Sequence, residues 1–285
     1  MSKKVALITD STNDIPVELR HKYQIYVVPL SIIWGKEQFL DGVDMLPEAF
    51  YERLAKDPIL PSTSQPTPKE FLDIYKEAMA DGAEEIVVIT ISSAMSGTIG
   101  SARTAAEGFE LPVHIYDSRS NSMSLGWQVL AAARARENGG DAEMMIEAAD
   151  LVRKGLHYHI VLETTDYIFS GGRIAGAAKL IGGLLHIKPQ IRVNHETGAV
   201  ETGDITRTRS QALERLYSSF FKNIDPAKPM RIAVLHNAAL TEAEALAERV
   251  RNEFKPVELI LAIVSPVLGV HTGPQAIALC GYNEK

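Results

Sequence analysis

The chain has 285 residues, of which 46% are hydrophobic and 23% charged, and a formal net charge of −7. That hydrophobic share is ample for a packed core, and an acidic balance without long like-charge blocks gives no electrostatic footprint for nucleic acid. A single cysteine, Cys280, excludes an internal disulfide and a cysteine-built zinc site. The longest apolar runs fall short of the ~18 residues a bilayer span needs, and the N-terminus has no secretory h-region. A cytoplasmic protein without integral membrane association is therefore expected, as one large or two ordinary domains.

Residues 5–9 form a short, continuously apolar run, the pattern of a strand covered on both faces. Asp10-Ser11-Thr12-Asn13-Asp14-Ile15-Pro16 follows, with Asp14 placed to cap and Pro16 to open a helix through Arg20. Residues 25–33 read as two strands about Pro29, and the Gly35-Lys36 turn makes a hairpin with residues 38–40, added to a parallel core. Leu46-Pro47 starts a helix to Ala55. Ser62-Thr63-Ser64-Gln65-Pro66-Thr67-Pro68 reads as a hydroxyl-rich loop stiffened by prolines, with Thr67 or its predecessors capping a helix over 69–80.

The strand at 86–91 runs into Ser92-Ser93-Ala94-Met95-Ser96-Gly97-Thr98, which opens an Ala-rich helix. Hydroxyls and free N–H groups at a helix start make an anion site, and Gly97 and Gly100 admit close approach. No acid, base or metal ligand lies within this turn, so it is suited to holding an anion with neutral donors. A strand at 112–116 leads to Asp117-Ser118-Arg119-Ser120-Asn121-Ser122, then helices over 123–137 and 142–154. Such alternation predicts a Rossmann-like parallel sheet with helices on both faces. The polar turns after Thr9, Ile91 and Tyr116 would then converge beyond its carboxyl edge.

After Gly155 the pattern changes. Residues 157–163 read as a strand with His157 and His159 on one face; an H-x-H pair can bind metal, but no third ligand is in view and a structural role is favoured. Ser170-Gly171-Gly172-Arg173-Ile174-Ala175-Gly176 matches neither the Walker A nor the dinucleotide-binding pattern. The apolar, glycine-bearing stretch 177–187 reads either as a core helix or as the wall of a deep apolar pocket. Residues 189–193 and 199–202 flank a hairpin turn at Asn194-His195-Glu196-Thr197-Gly198. A helix at 207–221, a strand at 230–235, a helix at 241–254 capped by Thr241 with Glu244, and strands at 257–264 and 276–281 complete an α+β unit with a mixed sheet. Trp34 and Trp127 read as buried packing residues rather than interface markers.

Taken in order, Thr9-Asp10-Ser11-Thr12, Thr63-Ser64-Gln65-Pro66, Ser92-Ser93-Ala94-Met95-Ser96-Gly97-Thr98, Asp117-Ser118-Arg119-Ser120, Gly171-Gly172-Arg173-Ile174, Lys188-Pro189 and His271-Thr272-Gly273 resemble the DegV family over essentially the whole chain. The resemblance implies a DegV-type two-domain α/β fold, with residues 1–157 carrying the carboxylate-binding loops and 158–285 forming much of an acyl-chain pocket. It implies a long-chain fatty acid, such as palmitate or oleate, as the bound ligand, with no cofactor, no metal and no catalytic residue. The implied partner is a fatty acid kinase, which phosphorylates the presented carboxylate to an acyl phosphate used in phospholipid synthesis. By the family pattern Thr63 and Ser96 hydrogen-bond the carboxylate, with His271 close by and Ser93 and Ser64 as second choices. Arg173 would face the kinase at the pocket mouth, and Leu180, Ile181, Leu184, Leu185 and Ile187 would line the acyl chain. One departure stands out: the family often reads His-Thr-Gly-Pro-Gly, whereas Gln275 follows Pro274 here.

Two other readings stay open from the residues alone. One is a serine-dependent hydrolase or transferase with Ser96 as nucleophile, His271 as base and Asp10 or Asp117 as orienting acid. Ala94-x-Ser96-x-Thr98 counts against it, since it is not the glycine-flanked nucleophile elbow. The other is a phosphate or nucleotide sensor, which rests only on helix N-termini and lacks phosphate-loop motifs.

Overall fold

The computed structural model describes residues 4–172 and 187–284. In chain order among these residues come β1 (Val5–Asp10), α1 (Val17–Lys22), β2 (Ile25–Val28), β3 (Ser31–Trp34), β4 (Glu37–Leu40), α2 (Pro47–Leu54), β5 (Ser62–Ser64), α3 (Pro68–Ala80) and β6 (Glu85–Thr90). Next are α4 (Thr98–Ala106), β7 (Val113–Asp117), α5 (Ser122–Glu137), α6 (Ala142–Gly155), β8 (His157–Val161), α7 (Asp166–Ser170), β9 (Lys188–Val193) and β10 (Val200–Thr206). The chain closes with α8 (Arg209–Phe221), β11 (Met230–His236), α9 (Leu240–Phe254), β12 (Glu258–Ile263), α10 (Pro266–Thr272) and β13 (Ile277–Asn283).

Two sheets dominate. The first is wholly parallel, in the order β2-β1-β6-β7, and the second is mixed, in the order β10-β9-β8-β13-β11-β12. In the second sheet β11 and β12 run parallel and are bridged by α9, while the other neighbours are antiparallel. All strands of the parallel sheet precede His157, and all strands of the mixed sheet start at or after it.

The strand period of two explains how the layers stack. On β1, Val5 and Leu7 face α5 and α6, whereas Ala6 and Ile8 face α3 and α4 with Phe71, Tyr75 and Ala102. On β13, Ala278, Cys280 and Tyr282 join the α5–α6 side, whereas Ile277 and Leu279 face α8 and α9 with Leu216, Phe220 and Val250. Helices α5 and α6 therefore lie between the two sheets, sharing one core with both. That is why α5 is apolar on most of its circumference, with every residue from Ser122 to Leu130 buried. Trp127 is fully buried within it and packs edge-on to Tyr282, ring centroids 6.0 Å apart.

Several local expectations are revised. The hairpin β3–β4 does not join the parallel core: it forms a separate antiparallel sheet, β4-β3-β5, over α2, with Ile32, Trp34 and Phe50 in its core. Ser62-Thr63-Ser64, which reads as loop, is the short edge strand β5, pairing Thr63 with Ile32. Its hydroxyl-only composition hides the strand. Asp14 does not cap α1, whose N-cap Pro16 makes no side-chain cap; instead Asp14 is half-buried and takes a left-handed backbone at φ 48°. Thr241 does not cap α9 either, because the helix begins one residue earlier, at Leu240 after Ala239. By contrast, Thr67 and Glu70 form a complete capping box on α3.

Candidate ligand site between the sheets

The turns after β1, β6 and β7 sit side by side, because their strands are neighbours in the parallel sheet. Within this group Asp10 is buried at the end of β1. It accepts hydrogen bonds from Ile91 N, Thr12 N and Thr12 Oγ1 at 2.6, 3.0 and 2.6 Å, so it fixes the exit of β6. Asp117 accepts from Ser93 N, Ser93 Oγ and Arg119 N, closing the turn after β7 onto the turn after β6. The β9–β10 turn is fastened over both: Ser92 Oγ donates to Gly198 O at 2.8 Å and Arg119 Nη1 to Glu196 O at 2.7 Å.

Beneath these turns lies a cavity of about 340 Å³. Its walls are mostly aliphatic: Leu30, Ile91, Ile160, Ile191, Val193, Val267 and Leu268 are among its lining residues. No Lys, Arg, Asp or Glu lines it among the described residues. Part of the polar lining is gathered around Thr63. Thr63 Oγ1 and His271 Nε2 are 3.0 Å apart, and Ser64 and Gln65 follow Thr63 directly. Gln65 crosses the turn after β6 and donates to Ser101 Oγ at 3.2 Å. It passes so close to Gly97 that a Cβ there would displace its amide end. Ser96 also lines the cavity, its Oγ 2.8 Å from Thr98 Oγ1.

Helix α10 brings His271 to this group. Asn237 Nδ2 holds the far end of the helix, donating to Thr272 Oγ1 and Gly273 O, both at 2.7 Å. The backbone of Gly171 abuts the edge of the imidazole, where a Cβ would collide with Nδ1. Gly171 thus serves as a seat for His271.

Of the residues singled out by sequence, Thr63, Ser64, Ser96 and His271 line the cavity. Ser93 lies outside the lining, its hydroxyl bonded to Asp117. Ile187 is buried and packs in the core shared by the two sheets. Arg173, Leu180, Ile181, Leu184 and Leu185 lie outside the described residues. Neither Asp10 nor Asp117 stands as an orienting acid behind His271, since their carboxylates are taken up by Thr12, Ile91, Ser93 and Arg119. His159 meets Ser219 Oγ at 3.2 Å and Phe220 edge-on, and burial pushes its pKa down to about 3. It is a packing residue of the mixed sheet. No helix among the described residues is long and apolar enough to cross a membrane.

Sequence reasoning missed Asn237, Asn121 and Tyr158, which also line the cavity. Asn237 carried a usable signal, since it follows directly on the carboxyl end of β11. Gln275 takes φ +63°, the left-handed region that suits the glycine found at this place in the resembled motif, and its Nε2 donates to Ala238 O at 2.8 Å.

A parallel sheet and a mixed sheet sharing their middle helices, with an apolar cavity closed by neutral polar groups, define a two-sheet α/β protein with a built binding chamber. The family model described as "Uncharacterised protein, DegV family" matches residues 4–284, and the chain belongs to the DegV family. A DegV domain-containing protein of Clostridium acetobutylicum is 35% identical, covering 99% of this chain and 98% of its own length. Among solved structures, DegV from Bacillus subtilis, described as a fatty acid binding protein, superposes with a TM-score of 0.91 at 29% identity, covering 99% of this chain and 100% of that one. A DegV family protein from Thermus thermophilus, described by its fatty acid binding, gives a TM-score of 0.88 at 28% identity, with the same shares covered.

Proposed function

We propose that this protein binds one long-chain fatty acid, its acyl chain in the aliphatic part of the cavity and its carboxylate at Thr63, Ser96 and His271. The observation that carries this reading is the lining itself: aliphatic walls that end in hydroxyls and one imidazole, without a fixed cation among the described lining residues. The fatty acid binding described for the Bacillus subtilis and Thermus thermophilus relatives supports it. The energetics also agree. At ~0.8 kcal/mol per buried methylene, a sixteen-carbon chain gains roughly 10 kcal/mol before entropic costs. Charge-assisted hydrogen bonds to the carboxylate add about 1.5–3 kcal/mol each. The tail supplies affinity and the head group supplies orientation.

The protein acts in this reading as a carrier, without a catalytic residue or cofactor of its own. Neutral donors can release a carboxylate as readily as they hold it, which suits presentation to a second protein. A fatty acid kinase in the cytoplasm phosphorylates that carboxylate to an acyl phosphate for phospholipid synthesis. In this reading Arg173 is assigned to the kinase-facing side and Leu180, Ile181, Leu184 and Leu185 to the acyl wall, while Ile187, which packs in the core and is not among the cavity's lining residues, is not. Residues 1–157 form the unit that carries the head-group loops, and 158–285 the unit that forms most of the chamber.

Titration with oleate, followed by incubation with a fatty acid kinase and ATP, tests both levels. Saturable 1:1 uptake and hydroxylamine-trapped acyl phosphate are expected. Saturable uptake without acyl phosphate removes the kinase step and leaves the carrier; absence of uptake removes both.

A further inference from the structure

Helix α10, which carries His271, has seven residues and begins without a side-chain cap from its own N-cap residue, Ser265. Two aspartates from distant parts of the chain, Asp14 half-buried and Asp41 buried, take its first N–H groups instead. Asp14 Oδ1 accepts from Ser265 N at 2.9 Å, and Asp41 Oδ1 accepts from Val267 N at 3.4 Å. Pro266, between them, has no N–H to offer. The other oxygen of each carboxylate is also occupied: Ser122 Oγ donates to Asp14 Oδ2 and Ser11 Oγ to Asp41 Oδ2, both at 2.6 Å.

These bonds tie the start of α10 to three places at once: the turn after β1, the start of α5 and the end of β4. Strand β4 belongs to the same small sheet as β5, which carries Thr63. The aspartates thus fix both partners of the Thr63–His271 contact relative to each other. A helix of this length is ~10 Å long, so a slip at its first residue is transmitted directly to its last turn.

Burial pushes both carboxyls up, Asp14 to about 6 and Asp41 to about 8, with the charges of Asp14 and Asp10 adding to the rise at Asp41. Arg20 faces both from α1, with Glu18 beside it, and Tyr51 from α2 and Tyr158 from β8 face the same cluster. Asp41, the higher of the two, therefore keeps its proton around neutrality and loses it in mildly alkaline solution.

We infer that Asp14 and Asp41, which hold Ser265 N and Val267 N, are positioning residues for His271, and that a charge on buried Asp41 displaces α10 and weakens fatty acid binding. The inference rests on the fatty-acid reading of the cavity.

The test compares oleate affinity of the wild type and Asp41→Asn from about pH 6.5 to about pH 9. The wild type is expected to lose about five-fold in affinity across this range, and Asp41→Asn, which cannot ionise, to hold its affinity level. Titration of oleate is common to both proteins and cancels in the comparison. Parallel profiles for the two proteins overturn the inference. If Asp41→Asn does not fold, Ser11→Ala replaces it: removing the hydroxyl that favours the ionised form moves the wild-type midpoint to higher pH, and an unmoved midpoint overturns the inference. A wild type that binds no oleate at any pH overturns the fatty-acid reading, and this inference with it.

Discussion

Thr63 Oγ1 stands 3.0 Å from His271 Nε2, although the two residues are 208 positions apart in the chain. One comes from the edge strand of the small sheet and the other from the last turn of α10, so their meeting reports the assembly of the whole site. If this pair receives the ligand carboxylate, Thr63→Val keeps the side chain's shape and removes its hydroxyl. Oleate affinity should then fall about 10- to 100-fold, the worth of one charge-assisted hydrogen bond. Displacement of a fluorescent fatty acid measures it, and unchanged affinity would place the head group elsewhere.

The two serines of the turn after β6 can be separated in the same assay. Ser96 lines the cavity, whereas the Ser93 hydroxyl is bonded to Asp117. Ser96→Ala should weaken oleate binding by about ten-fold or more, and Ser93→Ala by no more than about two-fold. The reverse order would mean that the turn shifts its register when ligand enters.

Gly171→Ala tests the seat of His271. The added methyl group collides with Nδ1 and pushes the ring off its position. The cost should appear in affinity, several-fold, beside a stability cost of about 1–3 kcal/mol from overpacking. A urea midpoint measured beside the binding curve separates the two.

How much of this was readable in advance differs from element to element. The apolar run of β1 and the Thr67–Glu70 cap carry their own signals, because burial on both faces and capping chemistry are local. Strand β5 does not: Ser62-Thr63-Ser64 has no apolar alternation, and only pairing with β3 makes it a strand. Asp14 resembles a helix cap in the sequence, yet its partner Ser265 lies 251 residues away and cannot be read from spacing. The hydroxyls at the cavity were legible as a class through their turns, while Asn237 carried only the signal of its place directly after β11.

The β9–β10 turn makes a prediction about acid. His195 Nε2 lies 2.7 Å from Ser124 Oγ, and burial pushes its pKa from 6.5 down to about 4. The fold therefore favours the neutral imidazole. The stability this contributes is fully present above 6.5 and is lost as the pH falls through about 4. Urea midpoints should decline over that window, and His195→Gln, which stays neutral, should remove part of the decline. An identical decline in the variant would assign acid sensitivity to other groups.

The most direct measurement is mass spectrometry of the purified protein, native first and then after denaturing extraction. The account predicts close to one long-chain fatty acid per chain, and its identity would define the preferred length and saturation. A protein that emerges empty, and takes up neither oleate nor palmitate when they are supplied, would contradict it.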